Sequence, residues 1–533
     1  MSVIPIHKGK RVYENYEANK HPLDWEVIII GSGIGGMACA AALAKTGKKV
    51  LVLEQHYIPG GYTHSYARKG YQWDAGVHAV GEVGEKQIPG KILRWLSNDQ
   101  LEMVSLGNPY DRFMMPDNFT VEFPDHYKAF LADLKEKFPE QSDKLDTYFS
   151  YVKKAAKSSP AFFGLKTMSK FMDKVGSKAA NALGRDWWKI TTTEILDEIG
   201  IEGKLRTVLT VHWGYIGTIP NESSFAMHAL THVHFWNGAY YPKGGSKEFA
   251  ACFLGNVVDN DGLVLTKALV EKVIVEKEKA TGVQLEDGTI FKAPIIISAA
   301  GAKNTVNELV PESYLNTNWA KEINAIEDSP PYICLNMGFK GDVRKAGASS
   351  ANLWLYDTWD NNIYYWDITD KNSKPHILYI SFPSLKDPEH DAGPQEKHTG
   401  ECVTFISWDI IKKWEKTVET DRPEAYLEFK RDIENRMLSV MKERIPDIME
   451  HLDYFELSTP LTSAFYCKAV KGAIYGLQAS PQRYLCKELR TRTPIKNLYM
   501  TGVDIGSLGV VGGMVAGILT ASTLEKSLYK KFI

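Results

Sequence analysis

Cysteine is scarce in this chain. There are six in 533 residues (Cys39, Cys252, Cys334, Cys402, Cys467 and Cys486), with no CxxC pair and no histidine at zinc-ligand spacing. This excludes a disulfide-stapled scaffold and a cysteine-zinc module, and leaves buried structural thiols. An excess of charge is also missing: 63 Lys and Arg against 65 Asp and Glu give a net −2, so there is no basic surplus to hold nucleic acid. Residues 1–25 are polar and lack the apolar stretch of a secretory signal, so a cytoplasmic location is expected. One uncharged run, 505–524, reaches the roughly 20 residues of a bilayer span. It carries five glycines, however, and a strand-and-turn signal precedes it, so the expectation is a buried helix over about 512–528.

What is present points to a large ordered protein. With 44% hydrophobic and 24% charged residues, the composition fits packed cores, and the length suggests two folding units with long insertions. The first strong motif is EVIIIGSGIGGMACAAALAKTGKKVLVLEQ, residues 26–55. A β-branched run ends at Ile30, glycines follow at Gly31, Gly33 and Gly36, a helix is expected over Met37–Thr46, and a second strand closes at Glu54. Each glycine has a physical reason. Gly31 makes the turn, Gly33 admits a diphosphate to the backbone, and Gly36 lets helix and strand approach. The helix start offers unpaired N–H groups to the phosphates, and Glu54 can accept from ribose hydroxyls while repelling a 2′-phosphate. The pattern suits the ADP part of NAD or FAD without choosing between them.

The continuation QHYIPGGYTHSYARKGYQWDAGVHAVG, residues 55–81, makes the choice. With the preceding strand it resembles the flavin motif of the phytoene desaturase, carotenoid isomerase and retinol saturase superfamily, through Gly60-Gly61, Arg68 or Lys69, and Trp73-Asp74-Ala75-Gly76. Residues 263–301, with the hairpin signal Glu286-Asp287-Gly288, resemble the family's adenine-side strands, and NLYMTGVDIGSLGVVGGMVAGILTAS resembles its closing motif. VHAVG and the 472–476 stretch look like the retinol saturase-like branch. The resemblance implies an α/β fold: a Rossmann-like FAD-binding domain of glutathione reductase type made from residues 1–85, 244–305 and 457–533. Two insertions, 86–243 and 306–456, would build an α+β substrate-binding domain. By the same resemblance FAD is held by Gly31, Gly33, Ile34, Gly35, Gly36, Glu54, Gln55, Gly60, Gly61, Tyr62, Arg68, Asp74, Gly76, Val273, Ala300, Gly502, Asp504, Gly512, Gly513 and Met514.

The implied activity is oxidoreduction at C=C or CH–CH bonds of a long isoprenoid or polyunsaturated lipid, with hydride exchanged at flavin N5. Non-redox double-bond isomerisation and a prenyl-lipid binding role of the GDP-dissociation inhibitor type are the alternatives. Candidate proton donors are His78 and Glu82, then Tyr62 and His64. His212, His228, His232 and His234 form no HExxH pattern, so no metal is expected. No second GxGxxG follows a strand, so the electron donor or acceptor that a redox reaction needs is expected to be external. Aromatics crowd both insertions, and residues 161–189 place apolar side chains opposite Lys166, Lys170, Lys174, Lys178 and Arg185, the pattern either of a helix packed on its own domain or of one that docks on an acidic membrane surface. Oligomeric state is not legible.

Overall fold

The computed structural model describes residues 3–168 and 185–532. Two sheets organise them. The first is wholly parallel, in the order Leu498–Met500, Ile296–Ser298, Val27–Ile30, Val50–Leu53, Leu263–Thr266 and Glu14–Asn15. Its strands therefore come from stretches far apart in sequence. Val27, Ile29, Val50 and Val52 pack to one side, Ile28, Ile30, Leu51 and Leu53 to the other, and all are buried. Parallel sheets need both faces covered, which is why these strands are apolar throughout. Helices Ile34–Ala44, Lys247–Asp259 and Gly509–Leu524 share the core of the first face. An antiparallel three-stranded sheet, Val270–Glu276, Lys279–Leu285 and Ile290–Lys292, packs on the second.

Helix Ile34–Ala44 is built of small residues because it is wedged between neighbours. A Cβ on Gly35 would stand 2.6 Å from Gly502 Cα, and one on Gly36 would stand 2.2 Å from the Gly31 oxygen. The helix starts three residues before the expected Met37, since Gly35 and Gly36 are contact residues of its first turn and not part of a loop. Gly509–Leu524 departs from expectation in the same way. Gly512 and Gly513 lie inside it, and a Cβ on Gly513 would meet Ile34 Cγ2 at 2.6 Å. It ends at Leu524, where Glu525 is extended, and a separate helix, Lys526–Phe532, follows. Among the described residues no helix is long and apolar enough to cross a membrane.

The second sheet has seven strands in the order Thr120–Phe123, Asp111–Met114, Asn352–Tyr356, Ile377–Ser381, Lys397–Phe405, Tyr332–Lys340 and Leu452–Ser458. It is antiparallel except where Asp111–Met114 pairs with Asn352–Tyr356. Alternation again sorts the side chains. Ile333, Leu335 and Met337 pack with Ile433, Met437 and Met441 of helix Glu424–Arg444, while Cys334, Val403 and Phe405 join the core on the opposite side.

Of the expected docking helix 161–189, residues 169–184 lie outside the described residues. Its two ends do not continue one amphipathic helix. Helix Ser159–Leu165 stops before Lys166, whose buried Nζ donates to the Cys486 carbonyl at 3.2 Å. Trp188 is buried with Phe162 stacked on it at 4.1 Å, so aromatic packing anchors both ends to the protein.

Candidate active site

A cleft of about 660 Å³ opens at the carboxyl ends of the parallel strands, the position where open α/β sheets bind nucleotides. Gly31, at φ +94°, turns the chain out of its strand, and the first turn of helix Ile34–Ala44 presents its N–H groups to the cleft. The Glu54 carboxylate is 6% exposed and fixed on three sides. Its Oε2 accepts from the Ser32 amide at 2.9 Å and the Ser32 hydroxyl at 2.6 Å, and its Oε1 accepts from the His56 amide at 2.8 Å. Ser32 Oγ in turn accepts from the Gly60 amide at 3.0 Å. Gly61, at φ +54°, lies so close that an added Cβ would be 3.0 Å from Gly33 Cα. At the far wall Asp504 accepts from the Ala302 amide at 2.8 Å and the Leu477 amide at 2.9 Å, joining separate segments.

Fifteen of the expected residues line this cleft: Gly31, Gly33, Ile34, Gly35, Gly36, Glu54, Gln55, Gly61, Tyr62, His64, Gly76, His78, Ala300, Gly502 and Asp504. Gly60 sits immediately behind them. Others are elsewhere. Arg68 points out to an ion pair with Glu456 at 2.8 Å. Asp74 is turned into the protein, where it accepts from Ser65, Tyr241 and the Ser246 amide. Val273 is buried beneath the parallel sheet, and Leu269, Val270 and Glu271 reach the cleft in its place. Gly512, Gly513 and Met514 are helix packing residues, and it is Gly509 and Val510 that face the cleft. Of the aromatics that crowd the insertions, Trp187, Trp188, Trp213, Tyr241, Trp354 and Trp366 are buried in the cores; Tyr332, Tyr466 and Tyr475 line the cleft.

The four proton-donor candidates separate clearly. Glu82 lies outside the cleft lining and pairs with His234 at 3.3 Å. Tyr62 hydrogen-bonds the Ala473 carbonyl at 3.3 Å, and burial pushes its phenol well above the ordinary range, so it holds its proton. In His64, Nδ1 faces the Gly61 carbonyl at 2.6 Å and therefore carries the hydrogen, while burial pulls the ring down to about 4. At neutral pH it is an acceptor at Nε2. His78 is different. Its Nδ1 lies 3.2 Å from Oε2 of Glu401, close enough for an ion pair though not aligned as a hydrogen bond, and the ring borders the cleft. Glu401 is only 2% exposed, and burial pushes its carboxyl above the usual range against the opposing pull of His78. Sequence reasoning missed Glu401. The only signal was a glutamate inside the apolar strand sequence GECVTF.

The remaining histidines form a buried hydrogen-bonded cluster. His228 and His232 share the Tyr148 hydroxyl at 2.6 and 3.1 Å, and His212 pairs with Asp111 at 3.1 Å. Among the described residues no group of three or more His, Cys, Asp or Glu could hold a metal ion. Burial lowers His228 well below 6.5 and His232 to about 3, with neighbouring histidines adding to both shifts. The unfolded chain therefore binds protons that the folded one refuses. Stability from these rings is complete above pH 6.5 and is lost as pH falls towards their folded values, by up to about 1.4 kcal/mol per pH unit per histidine. Urea unfolding between pH 7 and 5 should show a falling midpoint, and H232Q should flatten that slope.

The cleft, the glycine turn and the fixed carboxylate of Glu54 make up a Rossmann-like nucleotide-binding region. The family described as NAD(P)-binding Rossmann-like domain matches residues 29–88. Putrescine oxidase bound to putrescine is 14% identical, with a TM-score of 0.63 over 95% of this chain and 99% of that one, and shares the fold. Human all-trans-retinol 13,14-reductase is 31% identical over 98% of this chain and 89% of its own length. The chain belongs to the all-trans-retinol 13,14-reductase family. A chloroplastic prolycopene isomerase of Arabidopsis thaliana is 26% identical over 93% of this chain and 82% of its own.

Proposed function

We propose that the protein is an FAD-dependent reductase that saturates a C=C bond in a retinol-like isoprenoid. The observation that carries this is a single cleft. It brings the carboxylate of Glu54, the strand at Val270, Gly33 and Gly61 into one lining with His78, Tyr332, Cys334 and Val403. The first group offers what an adenosine diphosphate needs, and the second sets an imidazole against apolar wall. FAD fits the cradle on a further ground. Gly33, Gly502 and Gly509 line it, and a Cβ on any of them would meet nothing within 4 Å, so their backbones are bare toward the cleft. The segments 1–85, 244–305 and 457–533 are then the cofactor domain, and 86–243 and 306–456 supply the substrate side.

When bound, FAD supplies hydride at N5. Saturation also needs a proton on the other alkene carbon, and His78 is the residue placed to give it. Its Nδ1 faces Glu401, which orients the ring, and this leaves Nε2 as the nitrogen free to pass a proton into the cleft. The buried sheet wall beside it keeps bulk water from competing. Electrons reach the protein from an external donor, and contact with a membrane surface would bring the water-insoluble substrate.

The test is chemical. Dithionite-reduced holoprotein incubated with all-trans-retinol should give a product heavier by two hydrogens, with FAD released on denaturation. A product of changed retention and unchanged mass would replace saturation with isomerisation. Released NAD, or no FAD, would overturn the cofactor assignment.

A further inference from the structure

Lys386 is 3% exposed and lies directly behind the turn that carries His78. It ends the short helix Pro383–Lys386, which follows the sheet strand Ile377–Ser381. Its Nζ has three acceptors: the His78 backbone carbonyl at 2.7 Å, Ser381 Oγ at 2.7 Å and Asn352 Oδ1 at 2.5 Å. Three acceptors use every N–H bond of an ammonium, whereas a neutral amine has two. Asn352 is fixed in turn. Its Oδ1 also accepts from Tyr379, and its Nδ2 donates to Asp111 Oδ1 at 2.7 Å. A buried cation and a buried carboxylate are thus connected through one neutral amide. The Tyr379 ring also stands edge-on to the His78 imidazole at 5.2 Å.

We propose that Lys386 is the positioning residue for His78, gripping its backbone carbonyl from behind the cleft wall while Glu401 holds its ring. The idea rests on the role given to His78 above. Two independent grips at nearly opposite ends of one residue leave the imidazole little freedom to leave the cleft. Burying an ammonium is expensive unless its hydrogen bonds are complete, and here all three are spent on groups that lock this turn to the seven-stranded sheet. Burial outweighs the pull of Asp111, Glu401 and Asp74 toward the charged form and leaves Lys386 lowered to about 7.

K386M removes all three donors at similar volume. In the holoprotein, with reduced FAD and all-trans-retinol, kcat should fall about 10- to 100-fold with KM within about threefold, the pattern of lost transition-state positioning. FAD should bind with unchanged stoichiometry. Amide hydrogen exchange over residues 76–81 should quicken about tenfold or more in both apo and holo protein, while strands Val27–Ile30 and Tyr332–Lys340 keep their protection. K386Q, with a shorter neutral donor, should recover part of both effects and serves if K386M does not fold. Wild-type turnover in K386M, or slow turnover without faster exchange at 76–81, overturns the proposal. H78Q separates this idea from the one beneath it, because it keeps the backbone carbonyl. If H78Q turns over normally, the proton-donor role fails, while its unchanged exchange at 76–81 still reports the grip of Lys386.

Discussion

Replacing Gly33 with valine is expected to weaken FAD binding at least about a hundredfold, close to 2.7 kcal/mol, while leaving the apoprotein folded. Gly33 has φ −60° and ψ 167°, angles open to any residue, and a Cβ there would meet nothing within 4 Å. The fold has no objection to a side chain at this position. Its branched carbons would instead project into the open cleft beside the helix N-terminus, where a diphosphate would reach backbone N–H groups. Gly36 makes the contrast: its added Cβ would fall 2.2 Å from the Gly31 oxygen, so G36A should damage the fold itself. Titration of apoprotein with FAD, followed by quenching of flavin fluorescence, measures the first effect. Thermal unfolding of apo G33V, within about 3 °C of wild type, checks that the loss is local. Tight binding by G33V would remove the diphosphate from this turn.

The second large effect is expected from His78. H78Q should lower kcat for alkene saturation about 10²- to 10⁴-fold, the usual scale for losing a positioned acid, with little change in KM and in FAD affinity. The other candidates offer no substitute: Glu82 lies outside the cleft lining and faces His234, Tyr62 keeps its proton, and His64 is an acceptor at neutral pH. E401Q should fall in the same direction by about tenfold or more, because the His78 ring loses the carboxylate that faces its Nδ1. Steady-state turnover with a solvent deuterium isotope effect reads both variants. The effect should grow in E401Q, where proton delivery becomes slower. Turnover of H78Q within about threefold of wild type would mean that water protonates the product and His78 only shapes the wall.

The cradle was legible because its chemistry is local. A strand, a left-handed glycine, a helix start and an acid at the next strand end are set by neighbours in sequence, and Gly31, Gly33 and Glu54 lie where that order puts them. Misplacements arose where a short-range feature rotates the chain. A register shift between Val270 and Lys272 changes which residues of that strand turn to the cleft, and Val270 and Glu271 reach it while Val273 is buried under the sheet. In the hairpin Ser65–Arg68 and Tyr71–Asp74, Asp74 turns inward to Tyr241 and Ser246 while Arg68 turns outward to Glu456. Glu401 and Lys386 were out of reach for another reason. They are delivered to His78 by strand pairing across an insertion, and nothing near either residue in sequence announces which distant turn it will meet.

Asp504 is the clasp of this cleft, holding the amides of Ala302 and Leu477 from the last strand-to-helix turn of the chain. Glu54 and Asp504 stand 450 positions apart, so the two walls meet only when both segments have folded together, and neither segment holds a complete cradle by itself.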